Sequence, residues 1–249
     1  MTALSPILLA KLAHDAGFVV ELGEFDGWLA FAMPGRDLKL WLREHADALV
    51  AALSRHDVLA ELPIGAPWSG PLPDGAQGAR QVASANELLT LLHRARVLER
   101  TLPHALLGEY RAATARIDTT EAEALARQRR GQALFRQGLL DYWGGRCAIS
   151  GLDVPELLRA SHAKPWQDAS DAERLDVHNG LLLAAHLDAA YDQGLITVHP
   201  DGRVEPSRRL SPPALAILDL TAPRRVEGLK AAHGPFLAWH VERVFMVDA

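Results

Sequence analysis

Two histidines, one asparagine and two carboxylates in the C-terminal half have residue types and a spacing suited to chemistry. The candidates are, in chain order, His162, Asn179, His186, Asp188 and Asp192. Asp188 and Asp192 are four residues apart, so on a helix they lie on one face. Two carboxylates at that spacing can bind a hard cation through oxygen. The spacing therefore indicates a site for a divalent metal ion, with an imidazole nearby in the sequence.

A hairpin and a helix are needed to bring these residues together. Residues 146–150 and 157–163 are predicted to form two strands, and residues 181–191 a helix. His162 lies at the end of the second strand, and Asn179 opens the helix. The remaining candidates follow on or near that helix, after a polar loop.

Several short sequence segments in this region agree, in order and spacing, with the pattern of one known family. They are CAISG from Cys147, LLRASHAKPW from Leu157, and RLDVHNGLLLAAHLDAAYDQGLI from Arg174. The region resembles the HNH endonuclease superfamily, which has the ββα-metal fold, and more closely the branch with the pattern SHxxPW…NGLLLxxHLDAAFDxGLI. The resemblance covers residues 125–210, and residues 235–245 resemble the tail usual in that branch. It implies a C-terminal nuclease domain flanked by helices.

The resemblance implies roles for two of the candidates. In such nucleases the histidine that ends the second strand is the general base that deprotonates the attacking water, and His162 holds that position. Its near-neutral pKa suits the role. The asparagine at the helix start holds the metal loop together and orients the imidazole by hydrogen bonding, and Asn179 matches it.

The metal ligands implied by the resemblance depart from the usual pattern. They stand nine and thirteen residues after the asparagine, often as histidines, and here those positions are Asp188 and Asp192. His186 is displaced by two residues from the expected position, and Ser161 occupies a position that is often a ligand. We therefore expect Asp188 as a ligand, with Asp192 and His186 as further candidates. A carboxylate-rich set favours one Mg²⁺ or Mn²⁺ ion and leaves Zn²⁺ and Ni²⁺ open.

Arginines near the motif are the candidate DNA contacts. The formal net charge of the chain is −5, which argues against nucleic-acid binding over its whole surface. A local basic patch is sufficient to hold a DNA backbone, and we predict Arg136, Arg146 and Arg130 as phosphate contacts. The alternative is that these arginines form a solvated helix face.

The chain is predicted to be α+β, with a small N-terminal domain over residues 1–118 and the nuclease domain over residues 119–249. In the N-terminal domain the predicted elements are a helix over 3–16, two strands around a polar turn, a helix over 37–53, and helices over 87–100 and 102–114. In the nuclease domain, outside the motif that spans residues 146–196, they are a helix ending near 143, a hairpin over 195–199 and 203–206, and a helical segment over 229–247. Residues 63–78 are rich in Gly and Pro and are predicted to form a loop or linker. The N-terminal domain matches no family that we recognise, so DNA recognition, protein interaction and a structural role all remain open for it.

Composition narrows the class of protein. The chain has 249 residues and is 49% hydrophobic, which is enough apolar sequence for a buried core. Its apolar runs are far too short to span a bilayer, and its N-terminal segment has no signal-peptide pattern. The single cysteine excludes an internal disulfide and a zinc site of paired thiolates. These observations predict a cytoplasmic protein without a membrane partner.

The sequence therefore supports one main hypothesis and two alternatives. The main hypothesis is a metal-dependent DNA endonuclease, acting in restriction of foreign DNA and forming a homodimer when it cuts both strands. One alternative is a nucleic-acid-binding module of the same fold with a degenerate metal site, and the other is a protein-interaction module. The departures at Ser161 and His186 motivate the alternatives.

Overall fold

The computed structural model describes residues 6–115 and 121–247. Internal contacts divide the chain into two compact units, Met1–Arg100 and Thr101–Ala249. The boundary predicted near residue 118 lies outside the described residues. The α+β class predicted from the sequence is confirmed. Within the described ranges, no helix combines the length and apolar character that crossing a membrane would need.

An antiparallel sheet with three helices forms the first unit. Its elements are α1 (Pro6–Asp15), β1 (Val20–Phe25), β2 (Trp28–Ala32), β3 (Lys39–His45), β4 (Ala48–Leu53), α2 (His56–Glu61), β5 (Ala66–Pro67), β6 (Gly78–Val82) and α3 (Ala85–Thr101). The strand order is β1-β2-β3-β4-β6-β5. Paired residues on the four central strands form one row across the sheet: Ala30, Trp41, Ala52 and Ala79. Trp41 is the one large side chain in this row, and the small alanine side chains beside it leave room for its ring.

The segment of residues 37–53, predicted as a helix, is instead the hairpin of β3 and β4. Its apolar residues satisfy helical spacing, but Leu40, Trp41 and Leu42 are consecutive and all buried. Consecutive burial indicates a strand covered on both faces, and a short apolar run does not distinguish such a strand from a helix. The two strands are joined at Ala46, whose φ of 51° lies in the left-handed region. The helix prediction was therefore wrong.

The segment of residues 63–78 is a loop inside the first unit and not a link between units. It contains β5 and leads into β6. Trp68 anchors it, because the backbone N–H donates to the Ala79 carbonyl at 3.0 Å and the indole N–H donates to the Pro71 carbonyl at 3.3 Å.

The second unit surrounds a two-stranded hairpin with helices. Its elements are α4 (Pro103–Thr114), α5 (Glu121–Tyr142), a 3₁₀ turn (Pro155–Leu157), β7 (Leu158–His162), α6 (Asp171–Arg174), a 3₁₀ turn (Val177–Asn179), β8 (Gly180–Ala184), α7 (Ala185–Asp192), β9 (Ile196–Val198), β10 (Val204–Pro206), α8 (Pro212–Ile217), a 3₁₀ turn (Ala231–His233) and α9 (Gly234–Arg243). The side chains of the first five residues of α5 lie outside the described part of the chain. The hairpin of β9 and β10 agrees with the sequence prediction.

The strand that pairs with β7 is β8, and not residues 146–150 as predicted. β8 was predicted as the first turn of a helix, but all five of its residues are buried, and it pairs with β7 along its whole length. Residues 146–150 form a turn that is held by Cys147, whose sulfur accepts backbone N–H groups from Ser150 and Ala184. Asn179 therefore ends the turn before β8, and the prediction that it opens the helix was wrong.

The long helix α5 lies unusually close to the hairpin and to the loop that joins its strands. A Cβ atom on Gly180, the first residue of β8, would lie 2.4 Å from the Phe135 ring. A Cβ atom on Gly131 would lie 2.5 Å from the Trp166 ring. Both distances are below van der Waals contact, so only glycine at these positions permits the approach. Phe135 thereby reaches the end of β7, where the candidate base lies.

Candidate active site

His162 ends β7 and lies between two aromatic rings. It pairs across the hairpin with Gly180. Its ring stacks on Phe135 with the ring centroids 3.8 Å apart and the planes 13° from parallel. Trp166 contacts the same imidazole edge-on, at 5.8 Å and 85°. These contacts restrict rotation of the imidazole, because the rings occupy the space into which it would turn.

One backbone carbonyl determines which nitrogen of His162 carries the proton. Nε2 lies 2.9 Å from the carbonyl oxygen of Arg174. A carbonyl only accepts, so Nε2–H is the donor and Nδ1 has the free lone pair. Burial lowers the pKa of His162 to about 4; the Arg174 carbonyl opposes that shift, and the Arg174 charge adds to it weakly. The near-neutral pKa expected from the sequence was therefore wrong: the imidazole is neutral at neutral pH, and Nδ1 can accept a proton.

The lowered pKa of His162 predicts how stability changes with pH. Because the folded protein holds this imidazole neutral, protonation favours the unfolded chain. Its contribution to the free energy of unfolding is complete above the ordinary pKa of 6.5 and is lost as pH falls toward about 4. Urea titrations between pH 4 and pH 8 should show the wild type losing more stability on acidification than His162→Gln. Burial also lowers the pKa of His240 to about 4, but His240 is present in both proteins and so does not affect the difference between them. Parallel curves for the two proteins would therefore contradict a lowered pKa for His162.

Asn179 closes the loop between β7 and β8 with its amide. The side chain is fully buried, and its oxygen accepts the backbone N–H of Lys164 at 2.8 Å. Its nitrogen donates to the carbonyls of Lys164 at 3.1 Å and Glu173 at 3.0 Å. Glu173 precedes Arg174, whose carbonyl accepts the hydrogen bond from the His162 imidazole. Asn179 thus fixes the loop that orients His162, whereas the sequence predicted a direct bond between the two.

The loop is fixed a second time by charged side chains. Lys164 and Glu173 form an ion pair at 2.7 Å across it. Arg174 donates through Nε to the Trp166 carbonyl at 2.8 Å, and its guanidinium lies over the Trp166 ring at 5.0 Å. Since Trp166 also contacts His162, these bonds fix the wall beside the imidazole.

The two carboxylates lie on α7, which follows β8 directly. Asp188 accepts a hydrogen bond from the Ser161 hydroxyl, one residue before the candidate base. Asp192 follows one turn later on the same helical face. Burial raises the pKa of Asp192 to about 6, and the charge of Asp188 raises it further. The hairpin and α7 therefore bring two interacting carboxylates to the end of β7.

A cleft of about 420 Å³ joins the imidazole to one of these carboxylates. His162 and Asp192 both line it. Its other walls are Gln132, Ala160, Pro165, Trp166, Gln167, His240 and Val244. Polar and apolar side chains both line the cleft, which opens to solvent on one side.

The donor set fits a hard cation that is also held by its substrate. In the parts of the chain that the structure describes, no three His, Cys, Asp or Glu side chains come together in a metal-binding group. Proteins commonly bind Mg²⁺ through one or two carboxylates, with water and phosphate oxygens completing the shell. Asp188 and Asp192 supply two such carboxylates. A closed site of four protein ligands, as in structural zinc sites, does not fit.

His186 is separated from the two carboxylates by the geometry of α7. The side chain is exposed, and at about 100° per residue it points about 200° around the helix axis from Asp188. The structure therefore does not bring His186 to the face that carries Asp188 and Asp192.

The three arginines predicted as DNA contacts all have partners within the protein. Arg136 donates to the carbonyls of Leu158 at 2.7 Å and Pro155 at 2.9 Å. Arg146 pairs with Asp153 at 3.2 Å, and Arg130 donates to the Ala113 carbonyl at 2.7 Å. Arg146 and Arg130 are exposed and remain accessible to a phosphate, whereas Arg136 fastens α5 to the start of β7.

Replacing Arg136 with alanine is expected to destabilise the second unit. Both lost bonds come from a charged donor, and each such bond contributes about 1.5–3 kcal/mol, so a loss of about 2–4 kcal/mol is expected after partial solvation. Thermal denaturation measures it. Arg129→Ala, an exposed arginine of the same helix, serves as the matched control and should change stability by less than about 0.5 kcal/mol. Equal effects for the two variants would contradict the structural role.

Several site residues were not predicted as functional from the sequence. Phe135 and the Arg174 carbonyl act on the imidazole through contacts between distant elements. His240, at the cleft wall, is buried and stacks on Tyr191 at 3.7 Å, so it forms the wall and is not a free base. His240 lies within residues 235–245, the tail that resembles the family, but nothing in the sequence singled it out as a wall of the site.

Residues 147–199 match a family model described as HNH endonuclease. The match contains β7, β8 and α7 together with His162 and Asn179, and it confirms the resemblance found in the sequence. No curated protein matches the chain. Nucleases of this family generally use a divalent metal, and an HNH endonuclease domain indicates a nuclease with DNA as its substrate.

Proposed function

Because the C-terminal half contains an HNH endonuclease domain, we propose that this chain is a metal-dependent DNA endonuclease with His162 as its general base. The observation that carries the proposal is a neutral imidazole, with a free Nδ1, at the wall of a cleft shared with Asp192. A catalytic base must be unprotonated at the working pH and must be held in one orientation. His162 meets both conditions.

In the proposed reaction, water attacks the phosphorus and loses its proton to Nδ1 of His162, while the bond from phosphorus to the 3′ oxygen breaks and the leaving oxygen takes a proton from solvent. Nε2–H keeps its bond to the Arg174 carbonyl throughout, which stabilises the imidazolium that forms. The Phe135 stack holds the ring in line for the transfer. Asn179 acts indirectly, because it fixes the loop that contains the Arg174 carbonyl.

Asp188 and Asp192 are the proposed ligands of one Mg²⁺ or Mn²⁺ ion, and His186, which points away from them on α7, is not proposed as a third. When bound, such a cation neutralises negative charge on the phosphate and on the leaving oxygen. Ser161 would orient Asp188 through its hydroxyl, since that bond is already made in the protein. Burial raises the pKa of Asp192 and the charge of Asp188 adds to that rise, so a cation bound between the two carboxylates would relieve their repulsion.

Supercoiled plasmid tests this proposal. The wild type is expected to nick or linearise it in the presence of Mg²⁺ or Mn²⁺ and to leave it intact in EDTA. Cleavage that persists in EDTA would overturn the metal dependence, and no cleavage with any divalent metal would overturn the nuclease function.

A second candidate function is DNA binding without cleavage. It is favoured by Ser161, a poor ligand at a position where the family often has a metal ligand, and by the lack of a three-ligand group among the described residues. This candidate predicts a gel shift of duplex DNA, with no cutting under any metal.

The biological setting belongs to the same proposal. We propose restriction-type defence against foreign DNA, in the cytoplasm, on the strength of the family resemblance alone. One site cuts one strand, so double-strand cutting would require two copies on the duplex. Analytical ultracentrifugation with a cleavage product should then show a dimer, and a monomer that still linearises plasmid would contradict it.

A further inference from the structure

The strand β1 forms one edge of the sheet in the first unit, and its outer side is open. All six of its residues are exposed, and among the described residues only β2 pairs with it. The opposite edge differs, because β5 has two residues and ends at Pro67, which has no N–H to donate. β1 contains no proline, so its outward N–H and C=O groups can pair with a further strand.

A groove flanks β1 on each face of the sheet. The helix-side groove lies between α1 and β1, measures about 830 Å³ and has Ile7, Leu29 and Phe31 among its apolar walls. The tryptophan-side groove measures about 430 Å³ and has Phe25 and Trp41 among its walls. Successive side chains of a strand point to opposite faces of a sheet, so a strand added beside β1 would direct its side chains alternately toward the two grooves.

The two faces of β1 differ in chemical character. Glu21 and Glu24 line the helix-side groove, whereas Leu22 and Phe25 line the tryptophan-side groove. Leu22 is 39% exposed and Phe25 is 54% exposed, although both side chains are apolar. The edge of the sheet therefore presents carboxylates on one face and apolar side chains on the other.

The two grooves together have an excess of negative charge. Their carboxylates are Asp15, Glu21, Glu24, Asp26 and Asp74, and their lysines are Lys11 and Lys39. Lys11 pairs with Asp15, and His14 lies 3.2 Å from Glu21. Even with His14 counted as charged, five acids face three cations. The excess is largest at Glu24, which has no ion-pair partner in the described part of the chain.

We infer that β1 binds an extended segment of a partner protein in which basic and apolar residues alternate, and that this segment joins the sheet as a further strand. Backbone hydrogen bonds along the open edge would hold the segment. Its basic side chains would lie opposite Glu21 and Glu24, and its apolar side chains would pack against Leu22 and Phe25. The aliphatic parts of lysine and arginine would also cover the apolar walls of the helix-side groove.

Charge distinguishes this partner from two other occupants. A second copy that paired through β1 would bring its own Glu21 and Glu24 to the same edge, and like charges across paired strands are destabilising. A DNA backbone would meet an excess of carboxylates, which repel phosphate. The inference rests on the first unit alone and does not depend on the proposed nuclease function.

A synthetic peptide of about six residues that alternates lysine and valine tests the inference on the full chain. Fluorescence anisotropy of the labelled peptide measures its affinity. The same peptide with glutamate in place of lysine should bind at least about tenfold more weakly, because its charges are then repelled. A version with N-methylated backbone amides keeps the side chains but cannot donate hydrogen bonds, and it should also bind at least about tenfold more weakly.

Two outcomes of the peptide titration would overturn the inference. One is the absence of binding by the lysine peptide up to about 1 mM. The other is equal binding of the N-methylated peptide, because the segment would then be held by charge without joining the sheet.

Glu24→Lys reverses the charge of the groove at an exposed side chain. It should weaken binding of the lysine peptide by about tenfold or more, since it places like charges side by side. The matched control is Asp47→Lys, the same reversal at an exposed acid in the turn between β3 and β4 that lines neither groove. It should leave affinity within about twofold of the wild type. Equal losses in the two variants would overturn the inference, and thermal denaturation of each variant checks that it is folded.

Sedimentation equilibrium without DNA separates a partner protein from a second copy. The wild type and Phe25→Ala should sediment alike, because β1 of one copy is not expected to pair with β1 of another. A dimer that Phe25→Ala dissociates would overturn the inference in favour of self-pairing.

Discussion

Alanine in place of His162 is expected to slow DNA cleavage by about 10²- to 10⁴-fold, the range that a positioned general base contributes. The loss should appear in the rate at saturating metal and DNA, because the imidazole acts on the water and not on binding. Single-turnover cleavage of a labelled duplex, followed by gel electrophoresis, measures this rate.

His162→Gln separates proton transfer from structure. A glutamine amide can donate to the Arg174 carbonyl as Nε2–H does, but it cannot take up the proton of water. The glutamine variant should therefore lose as much activity as the alanine variant while folding more stably. His93→Ala, an exposed histidine of α3, should cut like the wild type. A glutamine variant with nearly full activity would rule out His162 as the base.

Asp188→Asn and Asp192→Asn form the second pair of variants with a large expected effect. Each keeps the size of the side chain and removes a negative charge from the proposed metal site. The Mg²⁺ concentration that gives half-maximal cleavage should rise at least about tenfold in each, since a neutral amide is a poorer ligand for a hard cation. A series of cleavage rates from micromolar to millimolar Mg²⁺ gives this value.

Two features make the carboxylate result specific. In Asp188→Asn, the amide oxygen that replaces the carboxylate can still accept the Ser161 hydroxyl, so a fold defect is not expected from that change. Asp74→Asn, an exposed acid of the first unit, controls for loss of one charge. An unchanged Mg²⁺ requirement in both α7 variants would place the cation elsewhere.

The position of the base could be predicted from the sequence, but the strand beside it could not. His162 ends a strand, as expected, because the sequence around it agrees with a specific family pattern. The apolar run from Leu181 to Leu183 is equally consistent with a helix and with a buried strand, and only its pairing with β7 decides between the two. The same ambiguity explains the wrong helix over residues 37–53, where the central strands are buried on both faces.

Contacts between distant elements explain the remaining differences. The bond from His162 to the Arg174 carbonyl leaves no trace in residue types, because any residue at position 174 has a carbonyl. The Phe135 stack depends on how closely α5 approaches Gly180, which is a property of packing. Arg136 was predicted to bind phosphate because sequence shows its charge but not its two carbonyl acceptors.

Binding of Mn²⁺ near His162 is the measurement that tests the central claim most directly. The claim is that the β7–β8 hairpin and α7 bring one imidazole and two carboxylates around a single cation. We expect Mn²⁺, added to the DNA-bound protein, to broaden the imidazole proton resonances of His162 strongly and those of His93 hardly at all, and Asp188→Asn combined with Asp192→Asn to abolish the effect. Resonances of His162 that stay sharp at saturating Mn²⁺, while the protein still cuts DNA, would contradict the account.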